Sequence, residues 1–329
     1  MSQTFSHGYA LIIGVGTCDF ANWSLPVTKQ DAQALLDVLT DASLCAYLND
    51  EGHIRFLHDA SASRKTILDG LCWLKAQVEA DGAATAFVYF SGHGWLDKRT
   101  GKYYLIPSDV QPFDILGTAV SAIEFTDTLH QISAKRLLVI IDSCHAEGMA
   151  SVKDEPTVNL PPNFSQTAPP GKVIADLKQG EGRVVFTSSR GTQRSWIRRD
   201  KAMSIYTYHL IEALKGANNK PGETMVYLSN LMNHLSKTVP QSAQMDWQAE
   251  QVPFFDMATE DYPIAVLQGG KSLPVGGWEA LEDEARTWLS IGIQGDGNIV
   301  GKRNISQVVK ATGGSTISGV TQIAYKEEE

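Results

Sequence analysis

Five short apolar runs punctuate the first 190 residues: Tyr9 to Val15, His53 to Leu57, Ala84 to Phe90, Leu137 to Ile141 and Arg183 to Thr187. Three of them are near-continuous in Val, Ile and Leu, the pattern of strands covered on both faces of a sheet. Between the runs the apolar positions switch to a helical period. Ile67, Leu71, Leu74 and Val78 form one stripe within Ser63 to Ala80, as an amphipathic helix requires. Ser121 with Glu124 three residues on reads as a capping box opening another helix. Two more helices are predicted over Met203 to Lys215, stopped by Gly216, and over Val226 to Thr238. Strands alternating with helices imply an α/β fold, with a mostly parallel sheet and helices on both faces.

The periodicity fails twice. Residues 151–182 carry Pro156, Pro161, Pro162, Pro169 and Pro170 without any repeating pattern, and a stretch like that inside a domain is a functional loop or unstructured. The second failure is QGGKSLPVGG from Gln268 to Gly277, which reads as a linker. A main domain over residues 1–267 is therefore expected, followed by a linker and short amphipathic helix over 268–290. Residues 291–329 alternate Ile and Val with Gly and Ser, predicting a Gly-rich β tail too small to fold alone.

Composition narrows the partners. A hydrophobic fraction of 43% with 20% charged residues suits a globular chain with a real core. The net charge of −9 argues against nucleic acid as the main partner. No apolar run approaches the roughly 20 residues of a membrane-spanning helix, so no membrane association is expected. MSQTFSHGYALIIGVG has no positive leading region and reads as a first strand rather than a signal peptide. Cys18, Cys45, Cys72 and Cys144 are then expected as reduced thiols in a cytoplasmic protein. No CxxC or HxxxH pair occurs, so no metal site is expected.

Two glycine-flanked segments carry candidate chemistry, each directly after a buried strand: Phe87 to Gly94, ending SGHG, and Leu138 to Gly148, containing DSCHAEG. Active groups in open α/β sheets gather at the carboxyl ends of strands, so His93 and Cys144 should emerge on one edge. An imidazole beside a thiol helps form the nucleophilic thiolate. Each residue alone reads as structural, but about fifty residues separate them, the interval noted for caspases. Gly14-Val-Gly16 hints at a dinucleotide loop, yet Asp19 stands where the third glycine belongs. His145 and Cys18 are read as structural.

SGHG followed by DSCHAEG resembles the caspase-like cysteine peptidases (peptidase C14), and is closer to metacaspases and prokaryotic caspase homologues than to animal caspases. The likeness runs from residue 8 to about 266 and includes YALIIGVG, YYLIPSD, RVVFTSSRGTQRSW and QVPFF. It implies a caspase-hemoglobinase fold, Cys144 as nucleophile and His93 as general acid/base, with the backbone N–H groups of Gly94 and Cys144 as oxyanion hole. Asp31, in LPVTKQDAQAL, and Asp142, two residues before Cys144, match the acids with which metacaspases hold a P1 Arg or Lys. A carboxylate pairs with Arg in a bidentate, charge-assisted way that an acidic P1 residue cannot satisfy. The blander readings are a helix N-terminal charge for Asp31 and a turn cap for Asp142.

The resemblance thus implies an endopeptidase acting on protein or peptide substrates. The proline-rich stretch falls where caspase-like enzymes are processed, and Lys153, Lys172, Lys178 and Arg183 are its candidate cleavage points. An upstream protease or a regulatory partner would then control activity. Many metacaspases take calcium through an acidic loop after the histidine. Here that loop has shrunk to WLDKRTGKYY, with Asp97 its only acid, which puts calcium dependence in doubt, and no cofactor is expected. The alternatives are a catalytically silent scaffold of the same fold, recruiting partners through its tail, and a doubly wound small-molecule binding module.

Overall fold

The computed structural model describes residues 4–143, 145–146, 160–220, 222–257 and 260–268. The chain divides into two units, Met1–Lys271 and Ser272–Glu329. The second lies outside the described residues, as do nearly all of the expected linker, the short helix and the β tail.

Along the first unit the chain forms β1 (Gly8–Gly14), α1 (Pro26–Thr40), β2 (Ile54–His58), α2 (Arg64–Ala80) and β3 (Thr85–Gly92). Then come β4 (Gly94–Asp97), β5 (Tyr103–Leu105), the single turn α3 (Ile115–Thr118), β6 (Val120–Ser121) and α4 (Ala122–His130). After β7 (Leu137–Ser143) follow β8 (His145–Ala146), β9 (Phe164–Gln166), α5 (Gly171–Leu177), β10 (Arg183–Thr187) and β11 (Ser195–Trp196). The unit closes with α6 (Ile205–Leu214), β12 (Met225–Tyr227), α7 (Leu228–Trp247), β13 (Phe254–Met257) and β14 (Pro263–Val266).

The central sheet has the order β13-β10-β7-β3-β1-β2. All neighbours are parallel except the β13–β10 pair at one edge. The five predicted runs are its five parallel strands. The antiparallel β13 escaped the sequence reading because an edge strand of four residues leaves little pattern. A smaller antiparallel sheet, β6-β5-β4-β9, stands beside the main one.

Side chains alternate across the main sheet with a period of two. Leu11, Ile13, Val88, Phe90, Val139 and Ile141 enter one core with α2, α4 and the small sheet. Ala10, Ile12, Phe87, Tyr89, Leu138 and Ile140 enter the other, with α1, α6 and α7. Local signals explain the helix ends. Ser121 Oγ accepts from the Glu124 N–H and the Glu124 carboxylate accepts from the Ser121 N–H, the predicted capping box. Helix α7 runs nine residues past its predicted end at Thr238, carrying Pro240 inside it, and stops at Gln248 with φ 52°. Gly14 has a packing role: a Cβ there would lie 2.6 Å from the Thr28 carbonyl oxygen and 2.6 Å from Ala32 Cβ. The glycine therefore admits α1 against β1, and the hint of a dinucleotide loop is dropped.

The stretch 151–182 needs correcting. From residue 160 onward it holds β9 and α5, and β9 completes the small sheet by pairing with β4. Pro161, Pro162, Pro169 and Pro170 lie around these elements rather than marking one long loop.

Candidate active site

Strands β3 and β7 end side by side, with Ser91 opposite Asp142 and Gly92 opposite Ser143. The next residues in the chain are His93 and Cys144. Cys144 lies outside the described residues; the surroundings of the edge from which it continues do not.

The alternation that sends Leu138 and Ile140 toward α1, α6 and α7 also sends Asp142 that way. Its carboxylate is fully buried and accepts from Ser195 Oγ at 2.8 Å, Ser204 Oγ at 2.7 Å and Thr207 Oγ1 at 3.1 Å. Asp31 arrives from α1, also fully buried. It accepts from the Ser204 N–H at 2.9 Å and lies 3.5 Å from the hydroxyl of Ser91, on β3. The two sequence-predicted acids therefore converge on one residue. Ser204 reaches Asp31 through its amide and Asp142 through its hydroxyl, and its Oγ also accepts the Thr207 N–H as the N-cap of α6. Behind them, burial and then the charges of Asp31 and Asp142 push the Tyr89 phenol well above its ordinary pKa. The fully buried Gln251 bonds Ser195 Oγ, the Ser188 carbonyl and the Trp196 N–H.

Residues of the opposite parity face the small sheet. The Ser143 and Tyr103 hydroxyls are 2.8 Å apart, and Tyr103 donates to the Thr167 carbonyl. His93 is buried, its ring 6.0 Å from that of Trp95. Its Nδ1 lies 3.3 Å from Gln166 Nε2, and Gln166 pairs with Trp95 across the β4–β9 ladder. Gly94 fits because it has no side chain: a Cβ would come within 1.8 Å of the Tyr103 hydroxyl. His145 pairs through its main chain with Ser195 in the β8–β11 ladder.

The sequence reading missed Ser195, Ser204, Thr207, Gln251 and Gln166. The first three are small hydroxyl residues of types common at turns and caps, and Gln166 lay in a stretch without periodicity. Only the topology brings them to the edge.

Four further expectations change or find their place. Arg183 is withdrawn as a cleavage point: it opens β10, is 5% exposed, and donates to the carbonyls of Leu129 and Ile132. Lys172 is exposed on α5, whereas Lys178 pairs with Asp256 at 2.7 Å; Lys153 lies outside the described residues. Asp97 organises the β4–β5 turn, accepting from the Arg99 N–H and the Thr100 hydroxyl. Cys18 is buried, and burial, aided by nearby carboxylates, pushes its thiol up to about 12, which keeps it unreactive.

A six-stranded sheet with one antiparallel edge and helices on both faces is the caspase-hemoglobinase type of α/β fold. The caspase-domain family model (peptidase C14) matches residues 7–261, more than three quarters of the sequence, and the chain belongs to this family of peptidases. It is similar to the crystal structure of caspase-1 from Spodoptera frugiperda at 16% identity and TM-score 0.49, over 83% of this chain and 93% of that one. The pro form of that caspase matches at 16% identity and TM-score 0.46, over 82% and 93%. No curated protein matches the chain. Among the described residues no helix is long and apolar enough to cross a membrane.

Proposed function

We propose that the chain is a cysteine endopeptidase that cleaves after Arg or Lys. The observation carrying this reading is the convergence of Asp31 and Asp142 on Ser204 at the sheet edge from which His93 and Cys144 continue. Two buried carboxylates held by hydroxyls and an amide offer a guanidinium or ammonium a negative, hydrogen-bonding seat. A cavity of about 200 Å³ with an apolar wall of Leu25, Val27, Ile197 and Trp247 and with Arg198 and Lys201 also lining it is a candidate for a further substrate side chain.

In this reading the Cys144 thiolate attacks the scissile carbonyl carbon, and the N–H groups of Gly94 and Cys144 receive the developing oxyanion. The C–N bond breaks as His93 gives its proton to the leaving amine, leaving a thioester. Water then attacks the thioester, His93 takes its proton, and the acid leaves as the thiolate re-forms. Self-processing belongs to the same reading. Lys153 is its first candidate site, since Lys172 would need α5 to open.

A peptide library varied at P1, run on wild type and Cys144→Ala, tests the proposal. Hydrolysis confined to P1 Arg and Lys, and lost in the variant, is expected. Equal cleavage after Asp and Arg would remove the pocket assignment, and activity surviving in Cys144→Ala or His93→Ala would remove the dyad. N-terminal sequencing of any fragments should find new starts only after Lys.

A further inference from the structure

Away from the sheet edge, α6 and α7 bury three metal-ligating side chains between them. His209 and Glu212 sit one turn apart on α6, and His234 faces them from α7; one ligand atom from each lies within 4.8 Å of the others. Glu212 Oε2 is 2.5 Å from His209 Nδ1 and 3.0 Å from His234 Nε2. His209 and Glu212 are buried, and His234 is half-buried, so the cluster has an approach from one side. From these residues we propose that His209, Glu212 and His234 form a structural site for a zinc-class divalent cation, which pins α6 to α7.

The donor set selects the ion. Two imidazoles and one carboxylate suit zinc and its neighbours, whereas calcium and magnesium prefer oxygen ligands throughout. Glu212 lies within hydrogen-bond distance of both imidazoles, so its carboxylate stands where a cation taken between the two rings would meet it. His209 Nε2 is 2.7 Å from Ser242 Oγ. With Nδ1 on the metal, the ring proton sits on Nε2, whose N–H donates a hydrogen bond to Ser242 Oγ, the outer support that ligating histidines ordinarily have. Water would complete the coordination on the exposed side of His234. The sequence reading expected no metal because it sought ligands in one short motif, while here His-x-x-Glu on one helix meets a histidine on the next. The cation would act at a distance. Thr207 lies two residues before His209 on the same helix and bonds Asp142, so fixing α6 would stiffen the carboxylate seat.

The full chain carrying Cys144→Ala, which removes the candidate catalytic thiol as a competing ligand, is stripped with chelator and titrated with Co²⁺ and Zn²⁺. One equivalent per chain is expected, with cobalt visible bands of four or five coordination. A Tm rise of about 5 °C or more is expected at hundredfold excess of Zn²⁺ over Kd. Glu212→Gln and His234→Gln should each weaken binding at least tenfold. Ser242→Ala, which keeps every ligand and is gentle on the fold, should weaken it about tenfold. X-ray absorption of the zinc-loaded protein needs no further variant and should show only N/O neighbours near about 2.0–2.1 Å. Sulfur neighbours, binding indifferent to all three substitutions, or no stoichiometric binding would each overturn the site.

Discussion

The two faces of the central sheet finish its candidate catalytic edge in different ways. On the α1/α6 side stand two buried carboxylates, Asp31 and Asp142, bonded by the hydroxyls of Ser195, Ser204 and Thr207 and the Ser204 amide. On the small-sheet side stand His93, Trp95, Gln166, Tyr103 and Ser143, joined by hydrogen bonds between hydroxyls, amide and imidazole and by close packing. Hydroxyl and amide dipoles fix both carboxylates in place, and under the proposed function this is the face that receives the P1 cation. The second sets the His93 imidazole beside the Trp95 ring and the Gln166 amide. The proposed function would place recognition on one face and chemistry on the other, so each should be alterable while the other stands.

The strongest test of this division is Asp142→Ala. Removing one partner of a buried, hydrogen-bonded charge pair costs about 2–5 kcal/mol, and kcat/KM on P1 Arg peptides should fall accordingly. Cleavage of the residual substrate should still require His93. A loss confined to stability, with P1 preference unchanged, would break the comparison by making Asp142 part of the scaffold. Ser204→Ala comes next. It removes the α6 N-cap and a hydrogen bond to a charged group, together about 1–3 kcal/mol of stability. Urea unfolding should show that loss alongside a raised KM for P1 Arg, since both carboxylates lose definition at once.

On the opposite face the expected effects are smaller and fall on turnover. Gln166→Ala removes the amide beside His93 Nδ1 and should lower kcat by roughly tenfold with KM nearly unchanged, as loss of an orienting group does. A change in KM alone would place Gln166 with substrate binding and blur the boundary between the faces.

How much of this was readable in the sequence differs between the faces for physical reasons. Strands buried on both sides must be apolar throughout, so β1, β3, β7 and β10 announced themselves. Asp31 and Asp142 were reachable through the resemblance, which marked them as acids at positions where metacaspases carry them. Their hydroxyl partners were not, because Ser and Thr at a helix start already have a local explanation as caps. Gln166 was hidden differently. A three-residue edge strand among prolines has too few positions for any period to show, and β9 exists only because β4 offers it an edge. Arg183 misled because a basic residue at the end of a loop looks accessible, whereas its guanidinium turns inward to two carbonyls.

The mildest test concerns the rim of the small sheet, where Asp97 holds the β4–β5 turn. Its carboxyl lies below the ordinary 3.8, first because the Thr100 hydroxyl donates to it, then through the Arg99 N–H and the Arg99 charge, against a contrary effect of burial. A carboxyl whose pKa is lower folded than unfolded adds stability that is full above the unfolded value and disappears as pH falls through the folded one. The stability difference between wild type and Asp97→Asn should therefore stay constant at neutral and mildly acid pH and shrink once the pH drops below about 4. Urea midpoints taken across that range will show it. Because Asp97 is committed to its own turn, adding Ca²⁺ should leave both the midpoints and peptide cleavage unchanged. A calcium-dependent rise in wild type that Asp97→Asn abolishes would make the turn a binding loop, and would add a ligand-responsive element to the small-sheet face.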